Sequence, residues 1–362
     1  MSLQSRAQLI SQIAAHLNAP VLAYVTGDRL GLQTQISAEQ ILLFPRHLTS
    51  VGRHDRIALL LYTRGGDTNV PWSVITAIRE HCSELTVLIP FAAHSSGTLL
   101  ALGADEIVMT RFATISPIDP TVANAFNPQD PTNPGARFPI AVEDVLAFLD
   151  LAKENVDGEA YERTFEALVQ SVHPLALGNV KRSISQIRQL AKKLIGLHPP
   201  EHTDEELAAM VTRLTTEFYS HQHLIGRAEA RDLGLPAVDA DPMLEQHLLD
   251  YYGELKTDLE LLTPFNPANI LRTAGTVIPV ASPAPTSPPT PNTPTAAGPV
   301  SAIGGAPPGV PVTVERGYVE TATTCDAFVT RGVVAWQAIM TTAGPQQAVA
   351  FDIHTEHWEP LA

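Results

Sequence analysis

Two apolar runs constrain this chain more than anything else in it: RIALLLYT at 56–63 and LTVLIPF at 85–91, each followed by a turn of small residues. Neither run alternates polar with apolar residues. Short continuous runs of this kind suit strands buried on both faces of a parallel sheet. Each turn leads into a helical pattern, VPWSVITAIREHC at 70–82 and SGTLLALGA at 96–104. Pro71 is tolerated in the first turn of the former, where its missing N–H would have no partner anyway. PVLAYVT (20–26) and EIVMT (106–110) read as further strands. Strand and helix in short alternation predict βαβ units and an α/β domain.

Around this core the periodicity predicts an amphipathic helix over 1–17 and one helix over 37–51, opened by Ser37 with Gln40 completing a capping box. A polar, loop-like segment spans 121–137. Helices follow over 141–197, 204–219 and 227–235, the last ended by Gly234. Near residue 275 the composition shifts to Pro, Ala, Thr and Ser without period, which predicts an extended linker. Strand-like alternation returns over 312–360. The expected organisation is a main domain at 1–272, a linker at 273–311 and a small β-rich segment at 312–362.

The balance of 23 basic against 38 acidic residues, a net charge of −15, argues against a nucleic-acid partner and against adhesion to an anionic membrane. Two distant cysteines, Cys82 and Cys325, form neither a disulfide framework nor a metal-ligand spacing. The N-terminus lacks a signal-type apolar core, and no run approaches the roughly 20 apolar residues of a membrane span. A soluble, cytoplasmic protein is the expectation.

The candidate chemistry lies in the two turns, YTRGGDT (62–68) and AHSSGT (93–98). Ligands of open α/β sheets sit outside the carboxyl ends of strands. Both turns lie at such ends, one βα unit apart, so they can face one site. Gly65 and Gly66 present backbone N–H groups with no side chain in the way, as an oxyanion requires. A serine in the second turn stands at a helix start, either as a nucleophile or as an ordinary N-cap.

These segments resemble a known superfamily. LLLYTRGGDT is similar to the strand and glycine turn of the Clp proteolytic subunit and of signal peptide peptidase A. HSSGTLLALGADEIVM resembles their nucleophile segment, Ser-x-Gly followed by a small-residue helix and an Ala-Asp-x-Ile strand. ATISPIDPT (113–121) and HQHLIGRAEARDLGLP (221–236) resemble downstream blocks of that superfamily, and VHPLALGNVKRS (172–183) and SPIDP (116–120) are similar to blocks of its Clp-fold serine proteinases of the serine dehydrogenase proteinase family. The resemblance covers about residues 15–240. It implies a Clp/crotonase-like spiral of ββα units, with the Pro-rich linker and the C-terminal strands outside it.

By position in the motif, the resemblance makes Ser95 the nucleophile, with Gly97 the glycine of its Ser-x-Gly. Ser96 and Gly65, with Gly66 beside it, become the oxyanion donors. Asp119 becomes a turn residue lining the cleft. The base is expected to be His221, beside the position of the family's third triad member, then His173, with Lys153 and Lys181 as alternatives. His94 is expected to take a surface or supporting role, because adjacent side chains point apart. The implied function is a serine peptidase acting on peptide or protein substrate through an acyl-enzyme. It would be a homo-oligomer, with a protein partner recruited through 312–362. The rival readings are an inactive scaffold of the same fold and a crotonase-like enzyme acting on a coenzyme A thioester. No G-x-G-x-x-G follows a strand and no H-E-x-x-H accompanies the histidines, so neither cofactor nor metal is expected.

Overall fold

A computed structural model of the chain describes residues 2–118, 121–122, 125–129, 136–138, 140–155, 158–198, 202–216, 223–274, 309–341 and 344–361. Helix α1 (Ser2–Leu17) leads into strand β1 (Val21–Thr26), a short 3-10 turn (Ala38–Leu42), α2 (Phe44–Val51) and β2 (His54–Tyr62). Then come α3 (Val70–Arg79), β3 (Cys82–Ile89), β4 (Ala92–Ala93), α4 (Ser96–Leu102), β5 (Glu106–Met109) and β6 (Thr114–Ile115). The pair β7 (Thr121–Val122) and β8 (Ile140–Ala141) precedes α5 (Val142–Asn155), α6 (Gly158–Ser171), α7 (Pro174–Ile195) and α8 (Asp204–Thr216). The chain continues through β9 (Ile225–Gly226), α9 (Arg227–Asp232), β10 (Ala237–Asp239), α10 (Pro242–Asp258) and α11 (Pro267–Thr273). It ends in β11 (Val310–Glu320), β12 (Cys325–Thr341) and β13 (Gly344–Leu361).

Among the described residues the main sheet runs β10-β5-β3-β2-β1-β11-β12-β13. Its first five strands are parallel. Alternate residues of the apolar runs feed two cores: Ile57, Leu59 and Leu61 face one, with α3 and α4, while Ala58, Leu60 and Tyr62 face the other, with α1 and α10. Burial on both faces is why these runs are continuous rather than alternating. The expected α/β class is what the chain adopts, with β-rich strands at its C-terminal end.

Three features depart from the sequence reading. The helix expected over 37–51 is split into a 3-10 turn and α2, because Pro45 has no N–H to carry the helical ladder through that point. Residues 242–273, given no element there, form α10 and α11, each capped by a side chain, Asp241 and Asn266, with a proline following. The C-terminal strands join the main sheet, β11 running antiparallel to β1 with Val319 opposite Tyr24. The linker expected at 273–311 lies outside the described residues from 275 to 308.

A buried ionic cluster fastens the C-terminal strands to the body. Arg6 of α1 is fully buried. It donates to Glu320 of β11 at 2.9 Å, pairs with Asp258 of α10, and lies 3.7 Å over the ring of Tyr318. The Tyr251 hydroxyl donates to the same Glu320 carboxylate at 2.7 Å. A buried charge is tolerated only when paired and hydrogen-bonded in this way.

Candidate active site

The two turns meet. Strand β2 ends at Tyr62, and Thr63 then bridges in parallel to Ala93 of β4, with Thr63 N–H donating to Ala92 O at 3.0 Å and His94 N–H to Thr63 O at 3.1 Å. This register sets Gly65 directly over Ser95. A Cβ built on Gly65 would lie 2.8 Å from Ser95 Cβ, 2.9 Å from His94 O and 3.3 Å from Ser95 Oγ. Gly65 and Gly66 both adopt positive φ, +106° and +148°, which side-chain-bearing residues rarely take. Gly97 is required for a different reason, since its Cβ would stand 2.4 Å from Thr63 Cγ2.

Ser95 occupies the strand-to-helix turn with φ 51° and ψ −115°. A non-glycine residue there costs about 1–3 kcal/mol, which the surrounding structure must offset. An ordinary N-cap serine has extended backbone and a side chain bonded to the first turn. Ser95 has neither, for its hydroxyl makes no capping bond to α4. The side chain is half-buried at the junction of the turns. Sharp strand-to-helix turns of this type are how α/β hydrolases expose a nucleophile.

The strained turn is held from behind by Ser116, a residue the sequence reading passed over although it lies in the quoted SPIDP block. Ser95 N–H donates to Ser116 Oγ at 2.8 Å, and that hydroxyl donates to Pro117 O at 3.0 Å. Thr98 Oγ1 donates to Ser116 O at 2.8 Å, closing the loop from α4. Only the fold brings these residues together.

The backbone donors sort differently from expectation. Gly65 N–H, expected to face an oxyanion, donates to Thr63 Oγ1 at 3.0 Å, and Thr63 Oγ1 shares a 2.6 Å hydrogen bond with Thr26 Oγ1. Gly66 N–H and Ser96 N–H have no acceptor among the described residues. Ser96 is fully buried.

The histidines and lysines named from the sequence are placed as follows. His173 caps α7, its Nδ1 accepting Leu175 N–H at 3.2 Å, and stacks on Phe126 with ring centroids 5.0 Å apart. It is exposed and bonded to its own helix rather than to Ser95. Lys153 is exposed and pairs with Asp150 at 3.3 Å; Lys181 is exposed on α7. His221 and Asp119 lie outside the described residues. His94 is buried rather than at the surface: Nε2 bonds Thr114 Oγ1 at 2.9 Å and Nδ1 meets Arg64 Nη1 at 3.2 Å. Among the described residues no group of three or more His, Cys, Asp or Glu side chains is arranged to hold a metal. No helix there is long and apolar enough to cross a membrane.

Residues 34–132, which contain both turns, match the family of ClpP-like SDH-type serine proteinases. Two uncharacterized proteins of Methanocaldococcus jannaschii are similar in sequence. One is 27% identical over 199 residues, 55% of this chain and 57% of its own length. The other is 26% identical over 219 residues, 60% and 64% respectively. The match thus spans less than two thirds of either relative. Among solved structures, a membrane-bound stomatin-specific protease in complex with a substrate peptide is similar over 59% of this chain and 74% of its own, with 15% identity and a TM-score of 0.35. ClpP1 from Listeria monocytogenes is similar over 65% and 98%, with 11% identity and a TM-score of 0.33.

Proposed function

We propose, from the match of residues 34–132 to the ClpP-like SDH-type serine proteinases, that this chain is a serine peptidase whose nucleophile is Ser95. The observation that carries the reading is the backbone of Ser95. It is strained, uncapped by its own hydroxyl and set against the Gly65–Gly66 turn. Ser95 Oγ attacks the scissile carbonyl carbon as its proton passes to a base. The C–O bond forms, and the carbonyl oxygen becomes an oxyanion held by Gly66 N–H and Ser96 N–H. Collapse breaks the C–N bond, the amine leaves with the proton, and water releases the acyl group by the reverse sequence. Each oxyanion donor of this kind contributes about 100-fold or more in rate.

We assign the base to His221. Support comes from the small sheet β4-β6-β9. In it Ile115 pairs antiparallel with Ile225. Continuing that register by one residue sets Leu224 opposite Ser116, the residue that holds Ser95 N–H. His221 precedes Leu224 by three residues in the sequence. An imidazole is a base matched to neutral pH. His173, Lys153 and Lys181 lack comparable support.

The remaining expectations follow the same reading. The substrate is a peptide or protein segment, and the chain acts as a homo-oligomer, supported by the exposed Phe148, Leu151 and Phe165 of α5 and α6. Light scattering measures the oligomer directly. Turnover of fluorogenic peptides, lost in Ser95→Ala and His221→Ala and retained in His173→Ala, tests the function. Binding of a coenzyme A ester without peptide turnover would instead favour the crotonase-like reading. Neither activity in a folded protein would favour a scaffold.

A further inference from the structure

Arg64 immediately precedes the glycine turn, and His94 immediately precedes Ser95. The Arg64 guanidinium reaches both ways. Its Nε donates to Asp28 Oδ2 at 2.6 Å, and its Nη1 lies 3.2 Å from His94 Nδ1. Asp28 is held in turn by the Tyr62 hydroxyl, which donates to Oδ1 at 2.7 Å. Arginine has donors only. His94 Nδ1 must therefore accept, so the imidazole is neutral with its hydrogen on Nε2, which donates to Thr114 Oγ1 at 2.9 Å. The array Asp28–Arg64–His94–Thr114 thus ties the loop after β1, the end of β2, the end of β4 and β6 into one line behind the two turns.

We propose that Arg64 is a positioning residue for the reaction at Ser95: bridging Asp28 to His94, it sets the separation between the turn that carries the oxyanion donors and the turn that carries the nucleophile. The inference rests on the peptidase reading. The Arg64 side chain is 43% exposed, so its ion pair adds little to fold stability. Its value lies in geometry. A displacement of about 1 Å at a reacting atom costs on the order of 100-fold in rate. Lysine offers a single ammonium in place of the planar fork and cannot hold both partners in this arrangement.

The test compares the rate of fluorophosphonate labelling of Ser95 in wild type, Arg64→Met, Arg64→Lys and Arg56→Met. Arg56 pairs with Glu84 elsewhere on β2 and serves as the control. Both Arg64 variants are expected to label about 10- to 100-fold more slowly with melting temperatures near wild type, while Arg56→Met labels at the wild-type rate. The double variant Arg64→Met/His94→Asn is expected to be no slower than Arg64→Met. Wild-type labelling of Arg64→Met would overturn the proposal and leave the peptidase reading intact. A wild type that does not label at all would instead remove that reading. The strut is then read from 15N spectra of the histidines, where His94 is expected as the Nε2–H tautomer and shifted in Arg64→Met. A His94 signal with the hydrogen on Nδ1, or one unmoved by the substitution, would overturn the strut.

Discussion

Gly65→Ala tests the meeting of the two turns with the smallest possible change. At φ +106° a Cβ costs about 1–2 kcal/mol in backbone strain alone. The added methyl would also stand 2.8 Å from Ser95 Cβ and 2.9 Å from His94 O, neither of which is the free end of a flexible side chain. Forcing a methyl into such a contact costs about 1–3 kcal/mol more. Gly52→Ala provides the reference, because Gly52 has φ +80° and nothing within 4 Å of its Cβ position. Gly52→Ala is therefore expected to lower stability by about 1–2 kcal/mol and Gly65→Ala by about 2–5 kcal/mol. The excess is released by moving Ser95. A shift approaching 1 Å slows its acylation on the order of 100-fold. Chemical denaturation gives the stability difference, and fluorophosphonate labelling gives the rate. Equal destabilisation of the two variants, with Ser95 of Gly65→Ala labelling at the wild-type rate, would refute the contact and with it the shared site.

Three further outcomes are expected. His47 is fully buried, with Nε2 at 2.8 Å from Asp326 and Nδ1 at 2.8 Å from Thr324 Oγ1. Burial, reinforced by the Arg46 charge, outweighs the hydrogen bond and charge of Asp326 and holds its pKa below the ordinary value. The unfolded chain therefore takes up this proton first. The contribution is full above about pH 6.5 and is lost as pH falls below it, so melting temperature should drop more steeply from pH 7.5 to 5.5 in wild type than in His47→Gln. Arg6→Met leaves the Glu320 carboxylate buried without its cation and should cost about 3–5 kcal/mol in denaturant titrations. Burial pushes the Cys82 thiol up to about 11, so native protein at pH 8 should resist iodoacetamide at this residue until unfolded.

What the sequence shows of this fold depends on how local the cause is. The runs at 56–63 and 85–91 declare their burial through composition alone, and β2 and β3 fall on them. Gly65 and Gly66 are legible because the turn needs positive φ, and Ser95 because it stands in a recognisable order of blocks. Pro45 splits the expected helix, yet the capping pattern of Ser37 and Gln40 beside it favours a helix continuing through that point. The pairing of β11 with β1 joins residues nearly the whole chain apart, and no local period encodes such a partner. The same is true of Ser116 behind Ser95 and of Asp28, Arg64 and His94. Each is an unremarkable polar residue until parallel strands bring their carboxyl ends together. His94 illustrates the limit: adjacency to Ser95 suggests a surface or supporting role, but it does not say that His94 is buried against an arginine.

The central claim is an activated serine at position 95. Purified protein treated with a fluorophosphonate, followed by intact mass and peptide mapping, tests it most directly. A single adduct on Ser95, absent from Ser95→Ala and retained in Ser96→Ala, is the expected result. A folded wild-type protein that carries no adduct, or one modified on Ser96 instead, would contradict it.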